Sequence, residues 1–164
     1  MALTYDPIAT TTLGTATANV TFSSISGTYT DLILIVAPVG TASLQIKTSV
    51  NNDTSALYSW TGMSGNGTSA ESYRSSGLTY FYPDYYFSTT TSGGVIQYNF
   101  MDYSNTTTFK TILTRSSNAG TATMANVALY RSTSAINRID LTTSTSTFAS
   151  GSTFKLYGIE AGNL

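Results

Sequence analysis

The side chains of this sequence best suited to acid–base chemistry are its eight carboxylates. They are Asp6, Asp31, Asp53, Glu71, Asp84, Asp102, Asp140 and Glu160. Glycoside hydrolysis would need two of them held about 5 to 10 Å apart. Most of the eight stand at the ends of predicted strands or in turns, where Asp caps backbone amides. The pattern therefore favours structural roles for the carboxylates over a catalytic pair.

Other familiar catalytic and metal-binding chemistry lacks its side chains. The sequence contains no His and no Cys, which excludes the usual triads, imidazole and thiolate metal sites, and disulfides. No Gly-x-Ser-x-Gly elbow occurs, and no spacing favours a Ser–Lys dyad at Lys47, Lys110 or Lys155. The oxygens of residues 51–53 could ligate calcium, but a simple Asx turn is the favoured interpretation. We predict no enzymatic activity, no metal and no cofactor.

The charge content limits the kinds of partner. Seven basic and eight acidic side chains give a net charge of −1, and charged residues are only 9% of the chain. Seven cations cannot form the phosphate-neutralising stripe that nucleic acid requires. No apolar run approaches the roughly 18 residues of a membrane span, and the N-terminus lacks the pattern of a signal peptide. We therefore expect no nucleic-acid partner, no membrane contact and synthesis in the cytoplasm.

The remaining composition favours β structure. Thr accounts for 31 residues and Ser for 23, while Tyr contributes 12 and Phe 7. Thr and the aromatic residues favour strands. Apolar runs recur between turn signals and predict strands at 19–22, 31–36, 44–50, 78–82, 95–103, 108–115, 122–131, 136–142 and 153–159. Residues 53–77, which include Gly62, Gly65 and Gly67, are predicted to form a long loop with one strand or a helical turn in it.

This spacing predicts an all-β fold, specifically an antiparallel β-sandwich or jelly roll with an extended N-terminal arm. Residues 1–16 are low in complexity and are assigned to the arm, and residues 17–164 to the sandwich domain. The run Leu32 to Val36 is apolar on both faces, which is typical of a central strand covered on both sides.

The stretch 80–87 is the most unusual part of the sequence, because six of its eight residues are aromatic. Alternate side chains of a strand point to opposite faces, so these rings cannot all enter one core. A subunit or partner interface is the favoured interpretation, while core plus rim and glycan binding remain alternatives. The same three interpretations apply to Trp60.

Several stretches together resemble a group of small virion structural proteins of tailed bacteriophages. These stretches are TTTLG at 10–14, VTFSSI at 20–25, TYTDLIL at 28–34, Trp60 with GNGTSA at 65–70, RSTSAINRI at 131–139 and SGSTFKLYGI at 150–159. The likeness covers most of the chain and is weakest at about residues 71–110. Its closing segment is the most specific part.

The resemblance implies a non-catalytic β-sandwich on a phage particle, expected as a homotrimer. The favoured function is a capsid cement or decoration protein that binds the major capsid protein between capsomers. The alternative is a tail-fibre or receptor-binding module that recognises host surface glycans. The expected partner contacts are Leu3, Tyr5, Ile8, Leu13, Trp60, Tyr80, Tyr82, Tyr85 and Tyr86.

Overall fold

Strands form all the regular secondary structure in the part of the chain that the structure describes. The computed structural model describes residues 5–40, 44–84, 94–118 and 120–160. Its strands are β1 (Asp6–Thr12), β2 (Asn19–Phe22), β3 (Asp31–Ala37), β4 (Ile46–Val50), β5 (Tyr58–Gly65), β6 (Ala70–Leu78), β7 (Val95–Met101), β8 (Lys110–Asn118), β9 (Ala122–Tyr130), β10 (Ile139–Thr143) and β11 (Thr153–Ile159). The predicted all-β class is confirmed. Among these residues, no helix has the length and apolarity needed to cross a membrane.

The strands form two antiparallel sheets that pack as a sandwich. The large sheet has eight strands in the order β1-β11-β3-β7-β8-β9-β5-β6, and the small sheet has three in the order β2-β10-β4. One apolar core contains side chains from both sheets. Polar contacts also join them, since the Thr48 and Tyr98 hydroxyls are 3.1 Å apart and the Val50 amide donates to the Tyr58 hydroxyl at 3.0 Å.

The alternation of buried and exposed residues in the large sheet follows the period of a strand. In β7 the side chains of Ile96, Tyr98 and Phe100 are fully buried, as their spacing predicts. β3 lies between β11 and β7. Leu32, Ile33, Leu34 and Val36 are all buried in it, which confirms the central strand that the apolar run predicts.

The predicted loop over 53–77 is wrong, because these residues contain most of a β-hairpin. β5 and β6 pair along their whole length, from Tyr58 opposite Leu78 to Gly65 opposite Ala70. The connection is short. The Asn66 side-chain oxygen accepts hydrogen bonds from the Thr68 and Ser69 amides, and Gly67 adopts a φ of 88°. Asn-Gly is a strong turn signal. The glycines that indicate a loop therefore stand within a strand and in its tight turn.

The predicted strand at 78–82 is also wrong. Leu78 ends β6, and Phe81 makes an isolated bridge to Thr48 of the small sheet. Both backbone hydrogen bonds of that bridge are 2.9 Å long. Residues 79–84 thus extend the small sheet and cover part of the inner face of the large one.

Residues 6–12 of the predicted arm form β1, which is an edge strand of the large sheet. β1 pairs with β11, with a bulge between Pro7 and Ala9. Ile8 and Ala9 are half-buried against the core. The Tyr29 hydroxyl donates to the Asp6 carboxylate at 2.7 Å and fastens the start of the strand. Over this stretch the arm is therefore part of the sandwich rather than a free extension.

Candidate interaction surface

The large sheet has an outer face that the small sheet does not cover. In β8, β9 and β5 the inward residues are buried, whereas outward residues of these strands and of β6 are exposed. We call the outward side chains of these four strands the open face. Its central exposed residues are Thr61, Met63, Ser72, Arg74, Leu113, Arg115, Ala125 and Val127.

Strand register brings exposed apolar side chains of three strands together on the open face. Leu113 lies opposite Val127, and Val127 lies opposite Thr61, whose neighbour two residues along β5 is Met63. Met63 is 67% exposed, Val127 50% and Leu113 37%. A contiguous apolar group of this kind on a surface is typical of an interaction site.

An open groove of about 440 Å³ crosses this face. Its floor and walls come from β5, β6, β7, β8 and β9. On the β7 side, the Gln97 amide donates to the Asn99 side-chain oxygen at 3.0 Å. No aromatic ring lines the groove among the residues described, so it provides no platform for stacking a sugar.

Two guanidinium groups border the apolar residues of the open face. Arg115 lies opposite Ala125, and Arg74 lies opposite Thr61. Neither arginine makes a hydrogen bond or an ion pair with any residue that the structure describes. Arg131 also reaches this side, but its guanidinium donates to Ser59 Oγ at 3.1 Å and to the Ala56 carbonyl at 2.9 Å.

Hydrogen bonds on the inner side hold the strands beneath the open face. We call the bonds from Asn126 and Thr114 to the carbonyls of residues 82 and 83 the polar seam. Asn126 Nδ2 donates to the carbonyls of Tyr82 and Pro83 at 3.2 and 2.8 Å. Thr114 Oγ1 donates to the same Pro83 carbonyl at 2.9 Å. Asn126 and Thr114 are buried, so these bonds hold β8 and β9 against residues 79–84. The open face is therefore built on a supported part of the sheet.

The N-terminal residues expected as partner contacts differ in exposure. Tyr5 is 51% exposed, with its ring edge-on to Tyr157 at a centroid distance of 6.1 Å. Ile8 and Leu13 are half-buried and pack against the core. Leu3 lies outside the described residues, as do Tyr85 and Tyr86 of the aromatic stretch.

Trp60 is not exposed, which corrects its assignment as a contact residue. It points to the inner face of β5, where it is 4% exposed and packs edge-on against Tyr82 at 6.4 Å. The physical reason is the period of β5, because Tyr58, Trp60 and Gly62 share its inner face.

Tyr80 and Tyr82 are half-buried on the side of the large sheet opposite to the open face. Their hydroxyls are 3.2 Å apart, and Lys47 Nζ lies 4.5 Å from the centre of the Tyr80 ring. Tyr82 packs against the core, so the described part of the stretch matches the alternative of core plus rim. The structure does not bring these tyrosines together with the open face.

Two carboxylates have structural hydrogen bonds that change their pKa. Burial raises the pKa of Asp140, but hydrogen bonds from Arg138 and Thr21 outweigh it, so the pKa is lowered overall. For Asp53, the hydrogen bond from the Tyr130 hydroxyl lowers the pKa most, followed by that from the Ser55 amide. The Ser55 bond, at 2.8 Å, is that of an Asx turn, as predicted for residues 51–53.

Other ionisable groups are also engaged in holding the fold. The Asp31 carboxylate accepts from the Asp102 amide at 2.6 Å. Lys110 is 1% exposed, and Nζ donates to the carbonyls of Thr108 and Thr133. Burial lowers the pKa of Lys110. Within the described residues, no group of three or more acidic side chains is placed to hold a metal ion.

The sequence reasoning missed the open face. Three of its strands, β5, β8 and β9, contribute only one or two exposed apolar residues each, and single exposed apolar residues are ordinary. Only the registers between β8, β9 and β5 bring them together, and β5 belongs to the hairpin that the sequence did not reveal. The outward alternation of Leu113 and Arg115 in β8 is the one local signal.

Comparisons with known proteins address the fold alone. No protein-family model and no curated protein matches the chain. Among solved structures, galectin LEC-6 of Caenorhabditis elegans is similar with a TM-score of 0.40 and 9% identity, over 91% of this chain and 95% of that one. An exo-inulinase of Aspergillus awamori is similar with a TM-score of 0.37 and 13% identity, over 94% of this chain but 29% of the inulinase. Neither likeness assigns a ligand or a reaction.

Proposed function

We propose that this chain is a non-catalytic structural protein of a tailed-phage virion. In this proposal it is a cement or decoration protein, active as a homotrimer, that binds the major capsid protein through its open face. The sequence resemblance supplies the virion context. The observation that best supports the binding function is the exposed apolar group of Met63, Leu113 and Val127, on strands that the polar seam holds in place.

The size of the open face suits a protein partner. Its four adjacent strands, which have eight or nine residues each and are spaced about 4.8 Å apart, span roughly 19 by 28 Å, or about 530 Å² in projection. A standard interface uses about 800 Å² of accessible surface on each partner. Side-chain relief raises accessible area above projected area, so this face provides most of such an interface.

Binding of this kind stabilises a shell by linkage. A protein that binds the assembled shell better than its free subunits shifts the equilibrium toward assembly. The apolar part of the contact, at Met63, Leu113 and Val127, is uncharged, and uncharged contacts are little affected by salt. These properties match a cement protein that must hold under changing conditions.

A glycan-recognition function has less support. The groove on the open face has no aromatic lining residue in the described chain. The half-buried Tyr80 and Tyr82 lie on the other side of the sheet, and Tyr82 packs against the core. We therefore place the receptor-binding alternative second.

The position of the chain on the particle tests the proposal directly. Immunogold labelling of the phage that encodes the chain, with an antibody to the full chain, is expected to decorate the head at regular sites. Label confined to the tail would support the receptor-binding alternative instead. Particles without label would refute a virion function. Native mass spectrometry of the purified chain tests the trimer, and a monomer at all concentrations would contradict it.

A variant pair tests whether the open face makes the contact. Met63→Gln with Val127→Thr removes apolar surface from the open face without adding charge. Purified variant chain, added to particles made without the chain, is expected to bind at least about tenfold more weakly. Ser23→Gln with Thr133→Val changes two exposed residues elsewhere and is expected to bind like the wild type. Equal occupancy by both variants would exclude the open face.

A further inference from the structure

The open face has an excess of positive charge that the rest of the chain does not share. The whole chain has a net charge of −1. The outward residues of β8, β9, β5 and β6 nevertheless include Arg74 and Arg115 and no carboxylate. Glu71 of β6 alternates with Ser72 and Arg74 in the strand, so it belongs to the opposite face.

Three carboxylates of the chain are engaged elsewhere, and Glu71, which has no bond within the described residues, lies opposite Ser64 and so on the other face of β6. Asp140 pairs with Arg138, and Asp53 accepts from Tyr130. Asp6 accepts from Tyr29. Arg74 and Arg115 have no hydrogen-bond or ion-pair partner within the described residues. An arginine presents a rigid fork of donors that fits a carboxylate in a bidentate manner, so both groups are available to an anionic partner.

We propose that the open face binds an acidic protein surface, with carboxylates of the partner pairing to Arg74 and Arg115 on either side of an apolar contact at Met63 and Val127. This inference extends the proposed function and rests on it for the identity of the partner, which is the capsid shell. It specifies the chemical groups that the surface of the partner must present.

The registers define the spacing of the two arginines. Arg115 pairs with Ala125, which pairs with Met63, which pairs with Ser72. Arg74 is two residues beyond Ser72. Three strand spacings and one two-residue step place the two Cα atoms about 16 Å apart. An acidic surface that fits has two carboxylates at roughly that separation, with apolar groups between them.

Three other occupants fit less well. A second copy of this face would bring arginines against arginines. Two free guanidinium groups and the partly bonded Arg131 are too few for the phosphate contacts of nucleic acid. An acidic glycan would find no ring to stack on in the groove. A protein partner uses both the apolar group and the arginines.

The test measures binding of the full chain to defined probes. The principal probe is a fluorescent 20-residue peptide of alternating Glu and Ala, and the neutral probe has Gln in place of Glu. Heparin and single-stranded DNA are the other anions. We expect anisotropy to detect the Glu/Ala peptide and not the Gln/Ala peptide, with weaker binding at 300 mM than at 50 mM NaCl. Arg74→Gln with Arg115→Gln should weaken binding about tenfold.

The matched control is Lys47→Gln with Lys155→Gln, which removes the same charge from outside the open face and should change the affinity less than about twofold. Equal loss in both double variants would overturn the proposal. So would absence of Glu/Ala peptide binding, or tighter binding of heparin or DNA than of the peptide. Circular dichroism and thermal unfolding confirm that both variants fold.

Shell binding by the same variants separates this inference from the proposed function. If Arg74→Gln with Arg115→Gln binds particles as well as the wild type, the acidic-partner inference fails while the cement function stands. If the wild-type chain binds the Glu/Ala peptide through the two arginines but binds no particle, the cement function fails while the inference stands.

Discussion

Gly62 and Asn126 lie opposite each other in β5 and β9, and the Asn126 amide occupies the space where a side chain at residue 62 would stand. A Cβ built on Gly62 would be 1.8 Å from Asn126 Oδ1 and 2.7 Å from its Cγ. Because that space is free, Asn126 Nδ2 reaches the Tyr82 and Pro83 carbonyls. The glycine therefore permits the polar seam that fixes residues 79–84 beneath the open face.

Gly62→Ala should destabilise the fold by about 2 to 4 kcal/mol, because Asn126 must move and its buried hydrogen bonds are lost. Chemical denaturation measures the change. Gly65→Ala in the same strand is the control, since its Cβ would meet nothing closer than the Ser69 carbonyl at 3.9 Å. We expect a change within about 0.5 kcal/mol there. Equal stability of the two variants would contradict the role of the seam.

Tyr29 is expected to hold β1 on the sheet edge. Its ring covers Gly158 of β11, where a Cβ would lie 2.3 Å from ring atoms, and its hydroxyl donates to Asp6. Tyr29→Phe removes the bond to β1, so hydrogen exchange of the β1 amides should become faster while that of β3 stays slow. Tyr157→Phe, on neighbouring β11, is the control and should leave β1 unchanged. Unaltered β1 exchange in Tyr29→Phe would show that strand pairing alone retains it.

Tyr58 links the two sheets by bonding the backbone of the small one. Its hydroxyl accepts from the Val50 amide at 3.0 Å and donates to the Val50 carbonyl at 3.2 Å. Tyr58→Phe leaves a buried amide unpaired and should cost about 1 to 3 kcal/mol in the free energy of unfolding. Tyr98→Phe should cost less, about 1 kcal/mol, because the Thr48 hydroxyl that it leaves can rotate toward another acceptor. The reverse order in denaturant midpoints would contradict this difference.

Local patterns in the sequence were sufficient for the strands with clear alternation or continuous apolar character. β2, β3, β7 and β11 lie where these patterns predict them. The β5–β6 hairpin could not be predicted, because the local pattern around Gly62 indicates a loop, and only the packing of Asn126 over Gly62 explains a glycine in this strand. That contact joins residues 64 positions apart, and no local pattern encodes it.

The candidate site was less accessible to sequence reasoning than the fold. An aromatic cluster is conspicuous in a sequence, yet Trp60 is buried and Tyr82 packs against the core. Met63, Leu113 and Val127 are ordinary residues in separate strands. They become a surface only through the registers, which are long-range properties of the folded chain.

The ion pair of Asp140 predicts how stability depends on acidity. Arg138 donates three hydrogen bonds to this carboxylate, at 2.7 to 2.9 Å, and Thr21 Oγ1 donates a fourth at 2.8 Å. These bonds lower the pKa of Asp140 below 3.8 in the folded state. A carboxyl group with a lowered folded pKa stabilises the fold above its unfolded pKa, and that contribution disappears as the pH falls through the folded value.

Asp140→Asn should therefore cost about 1 to 2 kcal/mol at pH 7, where the wild-type carboxylate is charged and fully bonded. The difference between wild type and variant should shrink as the pH falls below about 3.8, because the wild-type group then takes up a proton. Urea denaturation between pH 2.5 and 7 measures it. Glu71→Gln, an exposed residue without a bond in the described chain, should give no comparable pH-dependent difference. A constant difference for Asp140→Asn across this range would show that the pair's charge contributes nothing to stability and that only its packing does.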